Sequence, residues 1–275
     1  LNKPHTKTPY DPSVPKKVSI PYRVLRVIIR IVFPRMKTIG AENLPEESAV
    51  IVGNHSQMYG PVACELDFPI LRYTWCEWEM MDRKEVPAYA FRDFWSHKPK
   101  SVRWLYRILS HLITPLAVCL FNNANTIPVY HDGRLTGTIR ETIEKLEAGT
   151  SVVIFPETGW EPKNNILYPF QDRFIDVARF YRKKTGKELL FVPLYIAPYR
   201  REMIFGKPIR FSGDRPMDEE RERIAAYLAD EITRLAEERP LHTVVPYRNI
   251  PKKNYPKNRT ETAVPAGTDR QSPKS

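Results

Sequence analysis

The sequence predicts an α/β fold: a mainly parallel sheet with helices on both faces, in a single domain. Three observations lead there. Apolar runs at residues 48–52, 152–155 and 189–196 have the length of buried strands and lack the alternation of half-exposed ones. Between them lie segments whose apolar residues recur three and four apart, the period of a helix packed on one face. A chain of 275 residues is long enough for one large core and does not require a second domain.

Taken in order, residues 1–20 are rich in Pro, Lys and Thr and read as an irregular basic segment. Residues 21–37 read as an amphipathic helix. At about 100° per residue, Arg23, Arg26 and Arg30 fall within an arc of roughly 60°, and nearly everything else is Val, Leu, Ile or Phe. A wide apolar face beside a narrow arginine stripe suits a helix lying on an anionic bilayer. The plainer alternative is packing on the domain with the arginines in water.

The domain itself spans 38–247. A turn at 42–45 leads into the strand at 48–52, and Pro61 suits the first turn of the following helix because its missing donor is not needed there. Residues 72–76 read as a strand and 83–110 as helices with irregular cover. The run 112–121 is divided by Pro115, falls short of a membrane span and reads as core. A strand at 126–130 precedes a turn at 131–134. A helix at 138–146 turns Ile139, Ile143 and Leu146 to one side and stops at Gly149. After the strand at 152–155 come a helix at 170–184, with Phe170, Phe174, Val177 and Ala178 inward, and the strand at 189–196. A long charged helix at 216–238 closes at Pro240. Residues 248–275, dominated by Pro, Lys, Thr and Ser, read as a disordered basic tail.

Charge is concentrated at the ends. Residues 1–40 hold nine Lys/Arg against one Asp, and residues 248–275 hold seven against two acids, whereas the stretch between has 27 basic and 29 acidic residues. That distribution points to an anionic membrane surface as partner and away from a nucleic-acid groove. Cys64, Cys76 and Cys119 lack metal spacing and read as reduced thiols, the six histidines are dispersed, and neither GxGxxG nor a P-loop occurs. The opening residues do not read as a secretory signal. The expected location is peripheral, on the cytoplasmic face of a membrane.

The chemistry gathers at two strand ends. His55 follows the strand at 48–52, and Glu157 follows that at 152–155. In a parallel sheet both lie at the carboxyl edge, where α/β folds bind ligands. An imidazole there is a candidate general base. Asn54-His55-Ser56-Gln57, then Ile127-Pro128-Val129 with Arg134, then Phe155-Pro156-Glu157-Thr158-Gly159, then Val192-Pro193-Leu194-Tyr195-Ile196 resemble the four ordered blocks of the glycerolphosphate and lysophospholipid acyltransferase family. The resemblance covers about residues 20–212. It implies a glycerolphosphate-acyltransferase-like fold and acyl transfer from a thioester, acyl-CoA or acyl carrier protein, to the hydroxyl of a lysophospholipid or related glycerolipid. No cofactor or metal is implied. His55 would be the base, and Ser56, Gln57, Arg134, Glu157, Thr158 and Gly159 would line the substrate.

Two positions depart from that family. Its His is followed five residues on by Asp, where this chain has Gly60, and the arginine of its third block is replaced by Trp160. Another carboxylate, Glu65 or Glu157, or a backbone carbonyl would then serve His55. Otherwise the site is a catalytically degenerate one that binds lipid or regulates. Arg134 is the nearest substitute phosphate contact and Arg140 a weaker one. Trp160 with Tyr59 would line an acyl slot or sit in the core.

Overall fold

The computed structural model describes residues 18–96 and 98–259. In chain order its elements are α1 (Ile20–Val32), β1 (Lys37–Ile39), β2 (Ala49–Gly53), α2 (Tyr59–Asp67), β3 (Arg72–Glu77), α3 (Val86–Ala90), α4 (Arg103–Asn123), β4 (Thr126–Val129), α5 (Leu135–Glu147), β5 (Ser151–Ile154), α6 (Asp176–Thr185), β6 (Leu190–Ala197), β7 (Glu202–Phe205), β8 (Ile209–Arg210) and α7 (Met217–Glu237). The sheet runs β1-β7-β6-β2-β5-β3-β4, with β8 also against β6. Strands β6, β2, β5, β3 and β4 are mutually parallel, and β7 and β8 return antiparallel to β6. This is the mainly parallel α/β sheet that the apolar runs predict.

Alternation along the strands divides the core. Val50, Val52, Val152, Ile154 and Phe191 face α5, α6 and α7, whereas Ile51, Val153, Val192 and Leu194 face Ala63 and Cys64 of α2. Both faces are covered, which is why these strands are apolar throughout rather than at every second position.

Topology decides where a ligand can enter. From β2 the chain crosses through α2 to β3 on one side, and from β5 it crosses through α6 to β6 on the other. The carboxyl ends of the adjacent β2 and β5 therefore flank a point where successive connections part, the position at which open α/β sheets leave a crevice.

Four sequence expectations change. The apolar run 112–121 is not core: it belongs to the 21-residue α4, where Leu112 is 66% and Leu116 55% exposed. That helix packs mainly on α3 and α1, and it turns Trp104, Leu105, Ile108, Leu112 and Leu116 outward along one face. With the turn before it, Lys100–Asn123 is long and apolar enough by composition to cross a membrane.

The second change concerns α1, which ends at Val32 rather than at 37 and does not pack its apolar face on the domain with the arginines in water. Ser19 caps it, accepting from the Tyr22 N–H, and Tyr22, Arg26 and Arg30 turn inward. Arg30 pairs with Asp67 at 2.7 Å and donates to the Leu66 carbonyl, Arg26 reaches the Glu65 carbonyl, and the Tyr22 hydroxyl binds the Glu65 carboxylate. The carboxyl end of α2 presents carbonyls and acids that attract guanidinium groups. The apolar residues Val24, Val27, Ile28, Ile31 and Val32 are left facing out.

Third, residues 248–259 are not a loose tail. Asn258 is buried, with its side chain bound to the His242 N–H and to the Ala236 and Arg239 carbonyls, and Lys257 bridges Thr243. The remaining tail, and residues 1–17, lie outside the described residues. Fourth, the helix expected at 170–184 begins later, as a 3₁₀ turn at Arg173–Ile175 running into α6, while Phe170 bridges Glu157.

Candidate functional site

Where β2 leaves the sheet, a side chain takes over the ladder. Asn54, 1% exposed, accepts from the Ile196 N–H at 2.7 Å and donates to the Ile196 carbonyl at 2.9 Å. It thereby imitates a paired backbone amide and lets the main chain turn away. Its amide also donates to the fully buried Ser56 hydroxyl. The turn closes by hydrogen bonds from Tyr59 N–H to Ser56 and from Gly60 N–H to His55, with Ser56 and Gln57 held at φ 47° and 53°. Two consecutive non-glycine residues in the left-handed region cost of order 1–3 kcal/mol each, a kind of strain that gathers at functional sites.

Glu157 fastens this turn to the neighbouring strand end. One carboxylate oxygen accepts from the His55 backbone N–H at 2.7 Å and the other from the Tyr168 N–H at 3.0 Å. Burial pushes its carboxyl up to about 7, although both N–H donors oppose the shift. Glu157 therefore does not orient the imidazole; it is a positioning residue for the backbone that carries it.

The His55 ring is half-buried, with the edges of Phe155 and Tyr247 against it at centroid distances of 5.3 and 5.7 Å. Burial pushes its pKa down to about 4, and main-chain hydrogen bonding at Gln57 and His55 restores only part of the loss. The ring is thus neutral at pH 7, with a lone pair open to a proton but less basic than a solvated imidazole. Among the described residues no carboxylate makes an ion pair with it.

The other expected site residues are mostly committed elsewhere. Glu65 does not serve His55: its carboxylate is shared between the Tyr22 hydroxyl and Arg72, the latter at 2.8 Å, and it joins α1, α2 and β3. Arg134 lies over Trp78 and Tyr130 and pairs with Asp132 at 2.8 Å. Arg140 is exposed on α5. Gln57 is held at both ends, donating to the Arg248 carbonyl and accepting from the Tyr255 hydroxyl. Thr158 donates its N–H to Pro169, and the Gly159 carbonyl accepts from Arg248. Trp160 is not core and forms no slot with Tyr59: it is 83% exposed, while Tyr59 packs on Phe33 at the end of α1. Tyr168, Tyr247, Arg248 and Tyr255 complete the site and were not foreseen. Aromatic residues in a segment otherwise made of Pro, Lys and Asn were the signal, since such rings are rarely left in water. No three His, Cys, Asp or Glu side chains group as metal ligands among the described residues.

The opposed shifts of His55 and Glu157 make a prediction about stability. A carboxyl raised from 4.5 to about 7 in the fold favours folding most at low pH and loses that contribution as pH rises to 7. An imidazole lowered from 6.5 to about 4 contributes above 6.5 and loses that contribution as pH falls through 4. Each is worth roughly 3 kcal/mol, with opposite sign, so the native protein should show little net slope from this pair between pH 4.5 and 6.5. Glu157→Gln is expected to unmask a stability that climbs with pH over that window, and His55→Ala one that falls. Denaturant unfolding at four pH values measures both slopes, and parallel curves for all three proteins would refute the assignment.

No family model and no curated protein matches the chain. Among solved structures it is similar to the crystal structure of the 1-acyl-sn-glycerophosphate (LPA) acyltransferase PlsC from Thermotoga maritima, at 16% identity and a TM-score of 0.43, covering 78% of this chain and 79% of that one. A likeness so loose carries no function across.

Proposed function

We propose that this chain transfers an acyl group from a thioester, acyl-CoA or an acyl carrier protein, to the hydroxyl of a lysophospholipid or related glycerolipid, with His55 as general base. The observation that carries this reading is a neutral imidazole fixed at the sheet's ligand edge by a strained, doubly fastened turn. In the proposed step the acceptor oxygen attacks the thioester carbonyl carbon while its proton passes to a ring nitrogen of His55. The tetrahedral intermediate collapses, the carbon–sulfur bond breaks, and the departing thiolate takes that proton, leaving an ester and a free thiol. The amino end of α2 opens directly after the His55 turn, so the helix dipole favours negative charge on that side, although its Tyr59 and Gly60 N–H groups are already used to close the turn.

The exposed faces of α1 and α4 support a membrane as the source of substrate. The two helices pack together, and each leaves aliphatic side chains outward, Ile31 on α1 at 80% and Leu112 on α4 at 66% exposure. Exposed apolar area of this extent suits burial in the headgroup and acyl boundary, with Arg23, Arg35, Lys37 and Arg107, all exposed, available to anionic lipid. The double variant Ile31→Asp, Leu112→Asp is expected to lower the partition coefficient onto vesicles of phosphatidylcholine and phosphatidylglycerol by about 100-fold or more, since each buried aliphatic side chain is worth about 1.5–3 kcal/mol. Its melting temperature should hold, because neither side chain packs inside. Unchanged partitioning would remove the membrane surface from the proposal. Deleting residues 1–40 is a poorer test, because it also removes β1 from the sheet.

A second reading, lipid binding without turnover, is favoured by the missing carboxylate partner of His55. Thiol release by the purified protein, with lysophosphatidate and other lysolipids as acceptors, separates the two. Acceptor-dependent release supports the transferase. Retention of lipid with no release for any acceptor establishes the binding module instead.

A further inference from the structure

The segment after α7 delivers an arginine to the site. Arg248 is tied down by three contacts: its carbonyl accepts from Gln57 Nε2 at 3.0 Å, its Nη1 donates to the Gly159 carbonyl at 3.1 Å, and its guanidinium carbon lies 3.4 Å from the centroid of the Trp160 ring. Gln57 is two residues beyond His55, and Gly159 is two beyond Glu157. Tyr247, the preceding residue, packs against the imidazole itself. The guanidinium is therefore anchored beside the segments that follow both strand ends.

Its contacts are to carbonyl oxygen and to a ring rather than to a carboxylate. Asp93 shares its electrostatic field, yet among the described residues no carboxylate makes an ion pair with Arg248. Among the described residues, one of its five N–H donors is used. Stacking on an indole fixes the guanidinium plane and leaves its donor edge free, which is how arginine is prepared for bidentate contact with a phosphate. Lys252 and Lys253, exposed on the 3₁₀ turn that follows, add positive charge to the same segment.

We propose that Arg248, presented by Trp160, binds the phosphate monoester of the lipid acceptor and so selects phosphate-bearing lysolipids over neutral ones. The proposal rests on the transferase reading and adds the headgroup class to it. The acceptor would be held at its phosphate by Arg248 while its hydroxyl meets His55.

Equilibrium binding in neutral detergent micelles tests this, using lysophosphatidate, a monoacylglycerol of the same chain and inorganic phosphate as separate probes. Arg248→Gln is expected to weaken lysophosphatidate binding tenfold or more and to leave monoacylglycerol within twofold of wild type. Arg248→Lys, which keeps the charge but loses the fork and the stack, should fall between, and circular dichroism checks that both variants are folded. In turnover, KM for lysophosphatidate should rise in Arg248→Gln with kcat little changed. Equal weakening of both lipids, or of neither, overturns the assignment. Inorganic phosphate bound as tightly as lysophosphatidate would make this a site for the free ion and overturn the lipid headgroup. Arg248-dependent binding of lysophosphatidate with no acyl transfer by wild type sustains the phosphate site while the transferase reading fails.

Discussion

His55→Ala is expected to lower kcat/KM for acyl transfer to lysophosphatidate by about 10³-fold, within the range a single general base contributes. The loss should fall on kcat, because in the proposed step the ring takes the hydroxyl proton and does not meet the headgroup. With its pKa pushed down to about 4 by burial, the ring stays unprotonated across the physiological range. The acid limb of the wild-type kcat/KM profile should therefore centre near pH 4, well below the 6.5 of a solvated histidine. A variant that retains wild-type turnover would end His55's part in the chemistry. A limb near 6.5 would show that the ring is more open to water than its packing against Phe155 and Tyr247 implies.

Gly60→Asp restores the carboxylate of the motif this sequence resembles, yet it should lower activity. A Cβ at position 60 would lie 2.4 Å from the His55 carbonyl oxygen and 3.1 Å from that of Asn54, both rigid main-chain atoms. The His55 carbonyl also accepts the Gly60 N–H, so the clash can be relieved only by opening the bond that closes the turn. A loss of about 2–3 kcal/mol in stability is expected for both Gly60→Ala and Gly60→Asp, with turnover falling alongside. Thermal unfolding and thiol release on the two variants decide it. A stable, faster Gly60→Asp enzyme would mean that the turn tolerates a side chain and that the absent carboxylate limits the reaction. The glycine is better understood as part of a differently built turn, in which Asn54, Ser56 and Glu157 hold the backbone.

The central sheet was legible because a strand buried on both faces needs nothing but apolar residues. The runs that became β2, β5 and β6 are therefore unmistakable, and so is the helical period of α5 and α7. Position at the carboxyl edge followed from topology alone, which brought His55 and Glu157 together correctly. What each does there did not follow, since a carboxylate that accepts two backbone N–H groups looks in sequence like one that orients a ring. Short strands such as β1, β7 and β8 carry too few residues to show a pattern. The helical wheel of α1 was legible, but not what its arginine stripe would meet. Which face docks depends on Glu65, Leu66 and Asp67, some forty residues further on, and no local pattern contains them. Likewise Leu112 and Leu116 carry the same hydrophobicity whether they meet a core or a bilayer. The segment around Arg248 misled by composition: Tyr255 and Asn258 fix it through individual contacts, which average polarity conceals.

Helix α2 has a consequence of its own. Its carboxyl end is gripped by the arginines of α1, and its amino end carries the His55 turn, so it acts as a rigid strut about 14 Å long between α1 and the imidazole. If α1 rests in the bilayer as proposed, the standoff of the imidazole from that plane is set by nine residues of helix and not by a flexible tether. Acceptors would then be sorted by how far their hydroxyl can rise from the leaflet while their acyl chain stays immersed.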